Sequence, residues 1–201
     1  MKLYFSPGAC ALHVQMALIE AGEKFTTEKV NLKDHTYSGG DFKKLNPKGY
    51  VPVLENDSGE LWTEGQVILQ RIADRNPDKK LLPKLGTEER YRAMEWLNFT
   101  STELHKGFSV LFNPAIQGEA KDKVIEKLQK RLGFLNTHLS KNQYILGSEF
   151  SLVDGYVYNM LRWAAPLKVD ISQHTAILGL LERVSMRPSA RTAIQTEGLK
   201  G

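Results

Sequence analysis

Cys10 is the only cysteine among 201 residues, and it stands where a turn gives way to a helical pattern. Lys2-Leu3-Tyr4-Phe5 has strand character and Ser6-Pro7-Gly8 is turn chemistry. From Cys10 on, Leu12, Val14, Met16, Ala17, Leu18 and Ala21 take up a helical period, which Gly22 stops. That reading places the thiol in the first turn of a helix. The first amides of a helix have no internal partners and carry the positive end of its dipole, so a thiolate there is stabilised. A small buried hydrophobe would fit the same position. A dithiol oxidoreductase would carry a second cysteine three residues on, where this chain has His13, so any disulfide must form with an outside thiol.

Three other groups of residues could carry chemistry. Val51-Pro52 puts a proline in an apolar run with strand character. This demands either an edge strand or a cis peptide that leaves the amide and carbonyl of Val51 to pair with an extended ligand. At Thr63-Glu64-Gly65, Gly65 and Gln66 offer helix-start amides to a carboxylate or phosphate. Glu64 beside them either holds an ammonium group or is simply a favourable first-turn acid. Asn98, Thr102, His105 and Lys106 fall at i, i+4, i+7 and i+8 of a long helix, one face that is either functional or solvated. The five histidines and Cys10 lack metal-ligand spacing, so no metal site is expected.

The elements that must position these groups fall into two sets. Residues 1–76 read as β-α-β-α-β-β-α: Lys2 to Phe5, the Cys10 helix, a strand within Lys24 to Leu32, a polar loop over 33–40, one helical turn at Asp41 to Leu45, then strands at 51–54 and 60–62 around an Asn-Asp-Ser-Gly turn, and a helix from Thr63. Residues 77–86 are a polar, proline-punctuated linker. Residues 87–201 show no strand pattern. They read as about five helices: one capped by Thr87 and continuing until just before Pro114, one from Ala120 to Leu139, one opened by a Ser151-to-Asp154 capping box, and two split by Arg187-Pro188.

Composition excludes some classes. Apolar residues at 41% and charged residues at 25% are ordinary for a globular chain, and no apolar run reaches the length of a membrane span. The net charge of +4 is mild, and the densest basic stretch, Lys121 to Arg131, is interleaved with Glu119, Asp122 and Glu126. Nucleic-acid binding would need a basic stripe with exposed aromatics, so none is expected. The lone cysteine, with a strand beginning almost at Met1, reads as cytoplasmic.

Taken together, the chain resembles the cytosolic glutathione transferases, within them the bacterial beta class. The residues that carry the resemblance are Tyr4-Phe5-Ser6-Pro7-Gly8-Ala9-Cys10, Asn46-Pro47-Lys48-Gly49-Tyr50-Val51-Pro52-Val53-Leu54, Leu61-Trp62-Thr63-Glu64-Gly65, Glu95-Trp96-Leu97-Asn98-Phe99, Glu103-Leu104-His105-Lys106-Gly107 and Phe150-Ser151-Leu152-Val153-Asp154. The resemblance implies an α/β thioredoxin-like N-terminal domain, an all-α C-terminal helical domain, a homodimer and a cis Pro52. Glutathione, a co-substrate with no further cofactor, would lie extended over Cys10. Val51 would pair with its cysteinyl backbone, and Glu64, Gly65 and Gln66 would hold its γ-glutamyl end. Asn98, His105 and Lys106 would serve the sulfur or glycyl end, and Glu103 would face the partner subunit's glutathione.

The chain also departs from that pattern. Ala11 and Gly65 stand where relatives commonly carry serines, and either Lys33 or His35 replaces the usual glutathione-contacting lysine. Gly155 leaves Phe150 without a hydrophobic-staple partner. The implied function is attack of the glutathione thiolate on a small hydrophobic electrophile, in an apolar pocket for which Phe108, Leu111, Phe112 and Trp163 are candidate linings. A Cys10–glutathione mixed disulfide would add thiol transfer or peroxide reduction. The alternative is a non-enzymatic glutathione- or ligand-binding module of the same fold.

Overall fold

The computed structural model describes residues 1–199 and divides into two compact units. The first is Met1–Leu81 together with the described residues from Arg187 onward, and the second is Leu82–Met186. The expected all-helical stretch 87–201 is thus shared out, and its last helix packs with the N-terminal unit.

In the first unit, β1 (Lys2–Phe5), β2 (Thr26–Lys29), β5 (Val53–Glu55) and β6 (Leu61–Trp62) form one sheet in the order β2-β1-β5-β6. The β1–β2 pair is parallel, with Leu3 opposite Thr27. The other pairs are antiparallel, with Leu3 opposite Leu54 and Leu54 opposite Trp62. A parallel pair needs a crossover, and α1 (Leu12–Ala21) supplies it. The stretch expected as loop contains a two-stranded ladder, β3 (Thr36–Tyr37) against β4 (Gly40–Asp41). Asp41 then caps α2 (Phe42–Leu45) by accepting from the Lys43 amide. The core beside the thiol turn is Tyr4, Phe5, Ala11, Val30, Phe42, Val51 and Val53.

Helix α1 is buried continuously from Leu12 to Leu18, the polar His13 and Gln15 included, with α3 (Gly65–Arg75) and α10 (Pro188–Thr196) packed against it. Arg187 grips Glu20 of α1 through two hydrogen bonds of 2.7 and 2.9 Å, and Ser189 donates to the same carboxylate. Burial raises the Glu20 pKa, but these partners outweigh it and hold the carboxyl below its usual range.

In the second unit, α7 (Leu152–Leu161) is buried along its whole length and is the axis of the bundle. Around it lie α4 (Glu88–Phe99), a π-helical segment at Thr100–His105 and α9 (Thr175–Ser185). Beyond them, α5 (Lys106–Val110) packs on α6 (Gly118–Leu139). The short α8 (Ala164–Leu167) follows α7. The capping box is formed: Asp154 accepts from the amide and the hydroxyl of Ser151, each at 2.8 Å. Its other oxygen takes the Ile145 amide at 2.7 Å. Phe150 sets its ring edge-on against Tyr144.

Candidate functional site

Cys10 lies just ahead of α1 rather than inside its first turn. The Ser6-to-Cys10 segment closes on itself with an Ala9 amide to Ser6 carbonyl bond of 3.0 Å, and helical bonding starts only at the Ala11 carbonyl, which takes the Val14 and Gln15 amides. The thiol is half-buried and donates to the carbonyl oxygen of Val51 at 3.0 Å. The Val51-Pro52 peptide is cis, as the resemblance implied, and the pair lies just before β5 rather than within a strand. So the turn and the Val51-Pro52 segment, far apart in sequence, meet at the sulfur.

At the start of α3, Glu64 takes φ +66°, a region that costs a non-glycine residue roughly 1–3 kcal/mol and recurs at functional sites. Its exposed carboxylate already holds an ammonium group, that of Lys48, which also donates to Thr63 Oγ1 at 3.1 Å. The hydrogen bond to Glu64 raises the Lys48 pKa. Tyr50 donates to the same carboxylate at 3.4 Å. The sequence contains no signal for Lys48, whose pairing depends on how the 46–50 loop turns.

Gly65 and Gln66 present the first amides of α3. A Cβ on Gly65 would overlap His13 Nε2, so the histidine ring occupies the place where a serine side chain would begin. That explains the missing serine: glycine at 65 and histidine at 13 are one arrangement. Of the two residues offered for the lysine contact, Lys33 is exposed, whereas His35, at φ +59°, packs against Gly49 on the loop that leads to Val51.

The second unit corrects the polar stripe. The expected helix from Thr87 toward Pro114 is interrupted by the π segment, whose wider turn shifts the register. Asn98, Thr102 and Lys106 stay exposed, while His105 turns inward. Its Nδ1 meets the Tyr156 hydroxyl at 2.8 Å, and its ring sits edge-on to Trp163 at 5.1 Å. Burial, helped by the Lys106 cation, pushes the His105 pKa down to about 4, which keeps the imidazole neutral at physiological pH. A neutral imidazole offers one donor and one acceptor, and Tyr156 engages one nitrogen. Sequence reading missed Tyr156, because nothing in the sequence distinguishes it from the other buried residues of α7.

Trp163 also packs edge-on against Phe112, which is exposed, whereas Phe108 is fully buried in the unit's core and lines no surface. Glu103 pairs with Arg131 of its own unit. Among the described residues, no group of three or more His, Cys, Asp or Glu could hold a metal ion, and no helix is long and apolar enough to cross a membrane.

Residues 7–75 match the family model for the glutathione S-transferase N-terminal domain, and residues 99–188 match that for the C-terminal domain. The glutathione S-transferase GstA of Escherichia coli O157:H7 is 41% identical over 201 residues, covering 100% of both chains. A sphingomonad glutathione S-transferase solved with glutathione is similar at 40% identity and a TM-score of 0.95, with 100% of both chains covered. A beta-class glutathione S-transferase of Sphingomonas chungbukensis has 42% identity and the same TM-score of 0.95, again with 100% of both chains covered.

Proposed function

The chain belongs to the glutathione S-transferase family, and from that premise we propose how its residues divide the work of joining the glutathione thiolate to a small hydrophobic electrophile. The family relation supplies the activity. The observation that carries the residue assignment is the meeting of the Cys10 thiol with the carbonyl of Val51, next to a cis proline. An extended peptide can pair with the carbonyl and amide of such a segment as an added strand.

In this reading Val51 and Pro52 take the cysteinyl backbone of glutathione. Glu64 takes the γ-glutamyl ammonium, exchanging it for that of Lys48, and the Gly65 and Gln66 amides take the adjoining carboxylate. His35, rather than Lys33, stands nearer the peptide-binding segment. Cys10, His105 and Lys106 serve the sulfur: the neutral imidazole is a hydrogen-bond donor, and Lys106 is a cation for the developing anion. Asn98 supports the glycyl end. Glu103, already held by Arg131, serves a homodimer partner's site. The exposed ring of Phe112, backed edge-on by the buried Trp163, suits an apolar electrophile.

Cys10 adds a second reaction. Its thiolate attacks oxidised glutathione, one sulfur–sulfur bond breaks as another forms, and reduced glutathione leaves as thiolate and takes up a proton. The test is retention on immobilised glutathione, followed by a conjugation assay with an activated chloronitrobenzene. Retention with turnover supports the assignment. Retention without turnover would identify a binding module. Failure of both would remove Val51, Glu64 and Gly65 from the site.

A further inference from the structure

The far end of the chain reaches the thiol turn. Glu197 follows the last residue of α10 and is only 5% exposed, and its Oε2 accepts the backbone amide of Gly8 at 2.8 Å. The two residues are 189 positions apart. The next two residues set up the contact. Gly198 at φ +67° reverses the chain, the Leu199 amide returns to the Ile194 carbonyl at 3.0 Å, and the Leu199 side chain lies 3.7 Å from where a Cβ on Gly8 would be. Gly8 itself stands at φ +75° in the middle of the Ser6-to-Cys10 turn. A carboxylate and an apolar side chain therefore grip one face of the turn whose end bears the sulfur.

We propose that Glu197-Gly198-Leu199 is a positioning element of the thiol site, with Glu197 setting the Pro7–Gly8 peptide plane and, through it, the direction of the Cys10 sulfur. This deepens the site described above and rests on Cys10 being its thiol. The physical reason is economy of constraint. The turn is closed by a backbone bond from Ala9 to Ser6, and its glycine has no side chain to pack. A buried side-chain oxygen that accepts a backbone amide leaves that amide costly to strand if the acceptor is removed, so the contact holds the turn. The anchoring of α10 on α1 through Arg187, Ser189 and Glu20 brings Glu197 to the turn. Glu197 is a positioning residue, since it acts through the turn and not on the reacting atoms.

Because Cys10 is the only cysteine, alkylation by iodoacetamide reports its environment without any need for glutathione. Glu197→Ala removes the acceptor. Its Cys10 should alkylate roughly threefold to tenfold faster, the size of one ordinary hydrogen bond, as the thiol is freed from Val51. Conjugation should lose kcat with KM nearly unchanged. Glu197→Gln keeps an acceptor oxygen and should restore the wild-type alkylation rate. Asp154→Ala removes the capping box of α7 in the second unit without touching the turn or α10, so it should lower Tm and leave alkylation unchanged. If Glu197→Ala alters only Tm, or if Asp154→Ala changes alkylation as much as Glu197→Ala does, alkylation follows global stability, the end of the chain is only a structural clamp and the proposal is overturned. A check on the unaltered protein is amide exchange at Gly8, which should be slow. Exchange as fast as in an open turn would also overturn it.

Discussion

The sulfur of Cys10 stands 3.0 Å from the carbonyl oxygen of Val51 and donates to it. This single contact joins a turn before the first helix to the segment before β5, and it ties the thiol to the edge proposed for the glutathione backbone. If glutathione pairs with Val51 as proposed, it would compete with the thiol for that carbonyl.

From this follows the outcome of exposure to oxidised glutathione. One glutathionyl group should add to Cys10 and the reaction should stop, since no second cysteine can resolve the adduct. Intact mass before and after dithiothreitol measures it. Native protein that takes up no adduct would show Cys10 to be inert.

His105→Ala and Lys106→Ala should each lower the conjugation rate roughly tenfold to a hundredfold, the loss of one donor or cation worth about 1–3 kcal/mol at a sulfur anion. Glutathione affinity should change less, because most of the peptide is held elsewhere. The pH profile adds a sharper test. With its pKa depressed to about 4, His105 is neutral above that value, so the wild-type rate should show no His105 inflection between pH 5 and pH 8. The stability that neutral His105 contributes is complete above the unfolded value near 6.5 and is lost as pH falls through about 4. Wild-type rates and profiles in both variants would leave the sulfur to be activated from the first unit alone.

Gly65→Ser, which installs the hydroxyl common among relatives, should weaken glutathione binding rather than strengthen it. The new Cβ would overlap His13 Nε2, and a buried ring on a packed helix cannot easily yield. An affinity loss of about tenfold, with destabilisation of roughly 1–3 kcal/mol, is expected. Combining it with His13→Ala should recover much of both. Calorimetric titration of the two single variants and the double variant decides: additive losses would mean the residues are not coupled.

Asp154→Ala should cost on the order of 3 kcal/mol or more, since it strands the Ile145 and Ser151 amides in a buried place. Denaturant unfolding measures this. Asp154→Asn isolates the charge. Burial raises the Asp154 pKa to about 6 from 3.8, so the folded state holds its proton more tightly than the unfolded chain does. Its contribution to stability therefore falls as pH rises from about 4 to about 6, then levels off. The Asn variant should lack that slope. Parallel pH–stability curves for both proteins would contradict the raised value.

Sedimentation at micromolar concentration should give about twice 22.7 kDa for the proposed homodimer. A clean monomer would remove any role for Glu103 at a partner's site and leave it as the ion-pair partner of Arg131.

Local chemistry alone determined much of this protein. Alternation of strand and helix periods in residues 1–76, the Gly22 stop, the Asp41 and Thr87 caps and the Ser151–Asp154 box are short-range patterns, each set by backbone groups a few residues apart. Cys10, Val51-Pro52 and Glu64-Gly65 were legible as motifs for a related reason: each sits at a turn or a helix start, where residue type is tightly constrained, whereas His105-Lys106 was legible by helical spacing. The tertiary structure decided what those motifs touch. Helical spacing put Asn98, Thr102 and His105 on one face, but the π segment turned His105 in to Tyr156. Glu64 met Lys48, His13 filled the space beside Gly65, and Glu197 closed on Gly8 from the other end of the chain. Contacts between distant residues leave no period in a sequence. They arise only when packing brings the residues within reach, as when α3 and α10 pack on α1 and His13 comes beside Gly65 and Glu197 beside Gly8.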